Sequence, residues 1–284
     1  MKIGITGATG QLGQLVVAQL QKTAPQLEIV ALVRNTEKAK ALFKESVEIR
    51  KFDYSEPASL AAALDGLSQI LLISSSEIGQ RIPQHTAVIQ AAQNAKLNKI
   101  VYTSLLNADH SPLGLATEHK ATEQLIKQSG LNYAILRNNW YSENHLANLA
   151  HVIEQGVLYG AAENGRISAA SRQDYAEAAA NVLTLAEENQ KIYELAGSSS
   201  FTLAELAQMI STVAKTTVRY ENLSAADYTA ALISAGLPDF VADILVDADV
   251  QTAAGAMYSQ AKDLEQLLGR KTTPILTLIE KALT

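Results

Sequence analysis

The chain has 284 residues, 48% of them hydrophobic, enough for one large domain or for a main domain with a smaller appendage. Its 23 lysines and arginines against 29 acidic residues give a net charge of −6 with no long run of either sign, which argues against nucleic acid or an anionic membrane surface as the main partner. There is no cysteine, so disulfides, thiolate catalysis and cysteine-ligated zinc or iron–sulfur centres are excluded.

The amino end runs directly into "MKIGITGATG" without a charged leader and apolar core, which predicts a cytoplasmic protein. Apolar runs such as "QILLIS" are far shorter than the ~20 residues of a membrane-spanning helix. Strand-like runs follow at Ile3–Thr6, Ile29–Val33, Val47–Phe52, Ile70–Ser74, Ile100–Ser104 and Tyr133–Arg137. Helix-like stretches alternate with them at Leu12–Lys22, Glu37–Lys44, Ser59–Leu64, Pro83–Ala95 and Leu115–Ser129, the last stopped by Gly130. Strands apolar on both faces and separated by helices predict an α/β fold, a Rossmann-like doubly wound parallel sheet with helices on both faces.

Past about residue 145 the pattern changes. "EQGVLYGAAENGRISAAS" predicts two short strands around the Asn164-Gly165 turn, then come a helix over Arg172–Glu187, a strand over Ile192–Ala196 and several short alanine-rich helices. The expected division is a dinucleotide-binding domain over 1–150 and a smaller α+β substrate region over 151–284, with a segment near 166–196 packing back on the main sheet. The smaller region is expected over the carboxyl edge of the strands, where ligands bind in open α/β sheets.

"GATGQLG", Gly7 to Gly13, lies directly after the first strand and before the first helix, the context that makes a glycine-rich loop a pyrophosphate cradle. Gly7 allows the turn, Gly10 allows backbone N–H groups to approach a phosphate, and Gly13 allows close helix packing. The second strand ends in Arg34, where an NAD-binding fold commonly carries an acidic residue for the ribose 2′-hydroxyl. A guanidinium fork suits a 2′-phosphate, so NADP(H) is expected in preference to NAD(H). Lys38 is either a second positive charge for that phosphate or a solvated helix residue.

"TGATGQLG" with Arg34, "LLISSSEIGQR", "IVYTSLL", "EHKATEQLIKQSGLNYAILRNNWYSEN" and "RQDYAEAAANVL" together resemble the NmrA-like branch of the atypical short-chain dehydrogenases/reductases, within it the bacterial type 2 NAD(P)H:quinone oxidoreductases. "YELAG" and "GLPD" extend the likeness over nearly the whole chain. The resemblance implies an NADPH-dependent reductase of small quinones that works without flavin or metal. It implies cofactor contacts at Gly7, Ala8, Thr9, Gly10, Gln11, Leu12 and Arg34, and at Ser74, Ser75 and Ser76 on the ribose and nicotinamide side. Arg137, Tyr141, Ser142, Glu143, Asn144 and Arg172 complete the implied cofactor set, with Tyr141 to Asn144 beside the nicotinamide and substrate.

Typical short-chain reductases protonate a carbonyl oxygen with a tyrosine whose pKa is lowered by a lysine four positions on. That spacing occurs once, as Tyr258 and Lys262 in "YSQAK", far past the helix that should carry it, and reads as coincidence. The expected helix has Lys120 with Ala116 four residues earlier. His119 and Lys120 are candidates to hold a substrate oxygen; the alternative for both is an exposed helix face. Ser104 is a further candidate for a substrate oxygen, or a strand-end cap. His85 reads as a helix-start residue. The five histidines show no ligand spacing, which argues against a metal. In "NNWYSEN", Tyr141 and Asn144 are candidate site residues, Asn138 and Asn139 offer donors and acceptors, and Trp140 reads as core.

Loss of the dyad leaves quinone reduction open, because the product is a delocalised phenolate that a modest donor protonates and the protein needs mainly proximity and orientation. A non-catalytic NADP(H)-binding redox sensor of the NmrA type fits the same loss. A reductase of other conjugated or imine-type substrates would differ only in the helices over Ala225–Asp247. A homodimer through the alanine-rich helices stays open.

Overall fold

The computed structural model describes residues 1–185 and 190–284. In chain order the elements are β1 (Lys2–Thr6), α1 (Gln11–Thr23), β2 (Glu28–Val33), α2 (Thr36–Phe43), β3 (Glu48–Lys51), α3 (Pro57–Leu64), β4 (Gln69–Leu72) and α4 (Arg81–Asn94). They continue with β5 (Lys99–Leu105), α5 (Ala116–Gln128), β6 (Asn132–Asn138), α6 (Leu149–Gln155), β7 (Val157–Gly160), α7 (Arg172–Thr184) and β8 (Lys191–Leu195). Last come α8 (Leu203–Ala214), β9 (Arg219–Asn222), α9 (Ala225–Ser234), α10 (Asp239–Ala253), α11 (Asp263–Leu268) and α12 (Ile275–Leu283).

One compact unit comprises Met1–Asp109, Thr117–Asn138 and Arg172–Glu194. Its sheet runs β3-β2-β1-β4-β5-β6-β8, and every pairing from β3 to β6 is parallel. The order turns back on itself between β1 and β4, the switch point outside which α/β sheets take ligands. Val30, Leu32, Ile70, Leu72, Ile100 and Ile135 pack with Leu60 and Leu64 of α3, Val88 of α4 and Ile126 of α5 in one buried cluster. Helices α1 and α7 pack against each other and against strands of the sheet. The continuous apolar strands are therefore covered twice, as their sequences require.

Helix α7 returns to this unit through two buried side chains at the start of adjacent strands. Gln69 Nε2 donates to Leu183 O at 2.8 Å and Lys99 Nζ to Val182 O at 3.2 Å, satisfying carbonyls that a helix end leaves without partners. Thr184 ends α7, and Glu187, the expected end of that helix, lies outside the described residues.

Two boundaries differ from expectation for identifiable reasons. Strand β4 stops at Leu72 instead of Ser74, because Ile73 N donates to Thr6 Oγ1 at 3.0 Å and Ser74 N to Thr103 Oγ1 at 2.9 Å. Side chains have taken over the ladder there. The expected hairpin around Asn164-Gly165 is absent from the second unit, which comprises His110–Ala116, Asn139–Ser171 and Leu195–Thr284. There β7 pairs in parallel with β9, while Ile167 bridges Phe201. Ser168 N donates to Met257 O and Ser168 O accepts from Gly197 N, so these groups of the returning segment are engaged away from β7. No helix among the described residues is long and apolar enough to cross a membrane.

Candidate active site

The glycine loop begins where β1 ends. Gly7 has φ of 58°, the left-handed conformation that a side chain disfavours, and Gly10 N closes the turn onto Gly7 O at 2.9 Å. Gly10 is the N-cap of α1, with no side-chain cap and no acidic residue in the first turn. The exposed Gly7, Gly10 and Gln11 thus bring backbone to the surface at the positive end of a helix dipole, a site suited to a pyrophosphate. A Cβ on Gly13 would stand 2.4 Å from Gly7 O and 2.7 Å from Ala8 Cα, so the close contact of α1 with its own loop depends on glycine. Ala8 and Leu12 are buried, which leaves them only backbone to offer a ligand. Thr9 is half-buried, and its carbonyl accepts from Gln14 Nε2 at 3.0 Å.

Arg34 stands exposed just past β2, and its Nη1 donates to Glu77 Oε1 at 2.7 Å. Lys38 is exposed in the first turn of α2, which Asn35 caps by accepting from Lys38 N at 2.9 Å.

Of the three serines past β4, the middle one is turned into the protein. Ser75 N donates to His85 Nε2 at 3.0 Å, Ser75 O accepts from Arg81 Nε at 2.6 Å, and Ser75 Oγ accepts from Glu77 N at 3.1 Å. Ser74 is half-buried and Ser76 exposed, so these two hold what the loop can offer a ligand. Since His85 Nε2 accepts, its proton sits on Nδ1, which donates to Thr122 Oγ1 at 2.9 Å; Thr122 in turn donates to Glu118 O. His119 Nε2 faces the Arg81 guanidinium, which can only donate, at 3.4 Å, so its Nδ1–H donates to Tyr102 Oη at 2.8 Å. Both imidazoles are neutral by construction. Burial, helped by the Arg81 charge, lowers His85 to about 4 and His119 to about 3, while burial raises the Tyr102 phenol.

This corrects two expectations. His119 is buried in the network instead of lying with Lys120 on an exposed face; Lys120 alone is exposed, its Nζ 3.3 Å from Asp109 O. His85 holds the serine loop in place. Sequence periodicity missed it because its partner amide, Ser75 N, lies before the helix.

Arg137, implied as a cofactor contact, lies buried among carboxylates. Its Nε and Nη2 donate to Glu123 at 2.9 and 2.7 Å, Nη1 to Glu194 at 2.7 Å and Nη2 also to Asp109 at 2.6 Å. A buried guanidinium with most of its donors committed to three carboxylates ties β6 to α5 and β8. Ser104, the candidate for a substrate oxygen, donates to Glu123 Oε1 at 2.6 Å in the same cluster. Asn138 Oδ1, at the end of β6, is buried without a partner. Arg172 is half-buried at the first position of α7.

In the second unit, Tyr141 bridges Ala170, and Ser142 N donates to Ala170 O at 2.9 Å ahead of a short 3-10 turn over Ser142–Asn144. Tyr141 and Glu143 are half-buried, Asn144 is exposed, and the Ser142 side chain is buried. Asn139 is a clamp, its Nδ2 donating to Ser168 O and Met257 O, both at 2.9 Å. Trp140, expected in the core, is half-exposed. Tyr258 and Lys262 both precede α11 outside any helix, so they share no helix face and form no dyad.

The left-handed turn, the uncapped α1 and the exposed guanidinium fit a dinucleotide, and comparison with known proteins agrees. The NAD(P)H-binding family model matches residues 7–186. Quinone oxidoreductase 2 of Escherichia coli strain K12 is 51% identical over 273 residues, 96% of each chain. The crystal structure of the NADPH-dependent E. coli quinone oxidoreductase complexed with NADPH superposes with a TM-score of 0.96 at 49% identity, covering 99% of this chain and 100% of that one. The Citrobacter triphenylmethane reductase complexed with NADP(H) superposes at 0.94 with 35% identity, over 99% of both chains. The chain belongs to the NAD(P)H-binding family, with E. coli quinone oxidoreductase 2 a relative at 51% identity.

Proposed function

We propose that this chain is an NADPH-dependent quinone oxidoreductase that passes hydride directly to a small quinone, without flavin. The observation that supports it most is the 51% identity, over nearly all of both chains, to E. coli quinone oxidoreductase 2. When bound, NADPH supplies a hydride at its nicotinamide ring, and a quinone that gains that hydride and one proton becomes the hydroquinone. The backbone of Gly7, Gly10 and Gln11 would hold the pyrophosphate, Arg34 the 2′-phosphate, and Ser74 and Ser76 the ribose and nicotinamide side. Tyr141 and Asn144 are assigned to the quinone on the resemblance alone.

The chemistry suits what the protein lacks. With Ala116 where a dyad tyrosine would stand, and with His119 and Ser104 bound internally, none of these three positions presents a proton donor; a quinone, whose reduced product a modest donor protonates, does not require the dyad. Purified protein mixed with a small quinone should consume NADPH, read as loss of nicotinamide absorbance, and should use NADH less well. Arg34→Ala should cost NADPH about ten- to a hundredfold in kcat/KM, the loss of a charge-assisted hydrogen bond, with little change for NADH. Tight NADPH binding without turnover of several quinones would replace this reading with the redox sensor.

A further inference from the structure

Arg34 does not face solvent alone. Its one ion-pair partner among the described residues is Glu77, at 2.7 Å. Glu77 is set in place from two sides: Oε2 accepts from Gln84 Nε2 at 2.7 Å on α4, and the Glu77 amide donates to Ser75 Oγ at 3.1 Å on the serine loop. Ser75 is in turn held by His85 and Arg81. The carboxylate therefore belongs to a built structure, although the ion pair itself lies at the surface. Asp53, just past β3, is a second acid near this guanidinium: the Ser55 hydroxyl and amide hold its carboxyl below the ordinary range, and Arg34 adds to the effect. One guanidinium thus answers to two carboxylates, with Lys38 the nearest further cation in sequence.

A carboxylate docked on a guanidinium fork occupies the place a phosphate dianion would take. It also supplies what a 2′-hydroxyl needs, an acceptor, which NAD-binding folds ordinarily provide from an acidic residue at the end of the second strand. Here that strand end carries the arginine, and the acid arrives from the segment between β4 and α4. We infer that Glu77 is the residue that sets cofactor choice: it opposes a 2′-phosphate at Arg34, accepts from a 2′-hydroxyl, and so holds the NADPH preference below what Arg34 alone would give. This rests on the assignment of Arg34 to the 2′-phosphate in the proposed function.

The test uses the whole protein in four forms: unaltered, Glu77→Gln, Arg34→Ala and both together. Binding of adenosine 2′,5′-bisphosphate and of AMP is measured by calorimetry, and the NADPH-to-NADH ratio of kcat/KM by absorbance with one quinone. Glu77→Gln keeps the size of the side chain and removes its charge. It should tighten the bisphosphate about tenfold, weaken AMP about two- to fivefold because an amide is a poorer acceptor for its 2′-hydroxyl than a carboxylate, and raise the cofactor ratio at least about tenfold, the scale of one screened charge removed from beside a dianion. In the Arg34→Ala background the gain should shrink, since part of it is the release of the guanidinium. If Arg34→Ala lowers bisphosphate affinity while Glu77→Gln changes neither probe nor ratio, the inference fails and the cofactor assignment stands. If Arg34→Ala also changes neither, the assignment of Arg34 fails and takes the inference with it. The nucleotide probes answer even where no quinone is turned over.

Discussion

Ser75 shows why a residue's identity does not disclose its task. A serine past a strand in a nucleotide-binding fold invites assignment to the ligand, yet this one gives amide, carbonyl and hydroxyl to His85, Arg81 and Glu77. The arrangement requires a neutral His85, and that gives stability a pH dependence. The folded chain protonates His85 near 4 and His119 near 3, against an ordinary value of 6.5 for both, so below about 6.5 the unfolded chain binds more protons than the folded one. Stability is full above that value and falls as the pH drops toward 4, by on the order of 3 kcal/mol for each imidazole. His85→Gln keeps an acceptor for the Ser75 amide and cannot titrate. The urea midpoint of that variant should fall less steeply between about pH 6.5 and 4.5 than that of the unaltered chain. An equally steep fall would assign the acid loss to other groups.

At the scale of elements, the strand–loop–helix unit at the amino end was readable because its determinants are local. Gly7, Gly10 and Gly13 sit within seven residues and each answers to its own backbone, and the two later glycines make separable predictions. A Cβ on Gly13 would meet two backbone atoms at 2.4 and 2.7 Å, so Gly13→Ala must push α1 from the loop that precedes it and should cost about 1–3 kcal/mol as well as cofactor binding. A Cβ on Gly10 meets only Gly7 O at 3.2 Å, so Gly10→Ala should leave the melting temperature within a few degrees and weaken cofactor binding about tenfold by crowding the phosphate. Equal thermal destabilisation by both substitutions would show that the loop is governed by packing alone. What sequence did not reveal depends on partners far along the chain. Arg34 meets Glu77 from 43 residues away, and Arg137 meets Glu194 from 57 residues away. The hairpin expected at Asn164-Gly165 failed for the same reason: a turn dipeptide reports local geometry, while the pairing groups of Ser168 had been claimed by Met257 and Gly197.

For the whole molecule, the question is which parts of the chain make one folding unit. Read along the sequence, the first six strands look self-sufficient, and a boundary near residue 150 follows from the change of pattern there. Yet Arg172–Glu194, within the segment near 166–196 expected back on the main sheet, belongs to the first compact unit. That segment brings α7 against α1 and β8 to the sheet edge beside β6. Removing it would uncover Tyr175, Ala176, Ala179, Val182 and Leu183, or rather the surfaces they bury. It would also take Glu194 from Arg137 and the helix carbonyls from Gln69 and Lys99. A buried polar group deprived of its partner costs about 1–3 kcal/mol, and more where the group is charged, which is a large share of the ~5–15 kcal/mol that holds a domain together. A fragment ending at residue 150 should therefore retain helical circular dichroism, bind a hydrophobic dye and lack a cooperative urea transition. One that also carried 172–194 through a short linker in place of the intervening segment should regain the transition. A sharp transition in the shorter fragment would mean that α7 and β8 only decorate a sheet that is already complete.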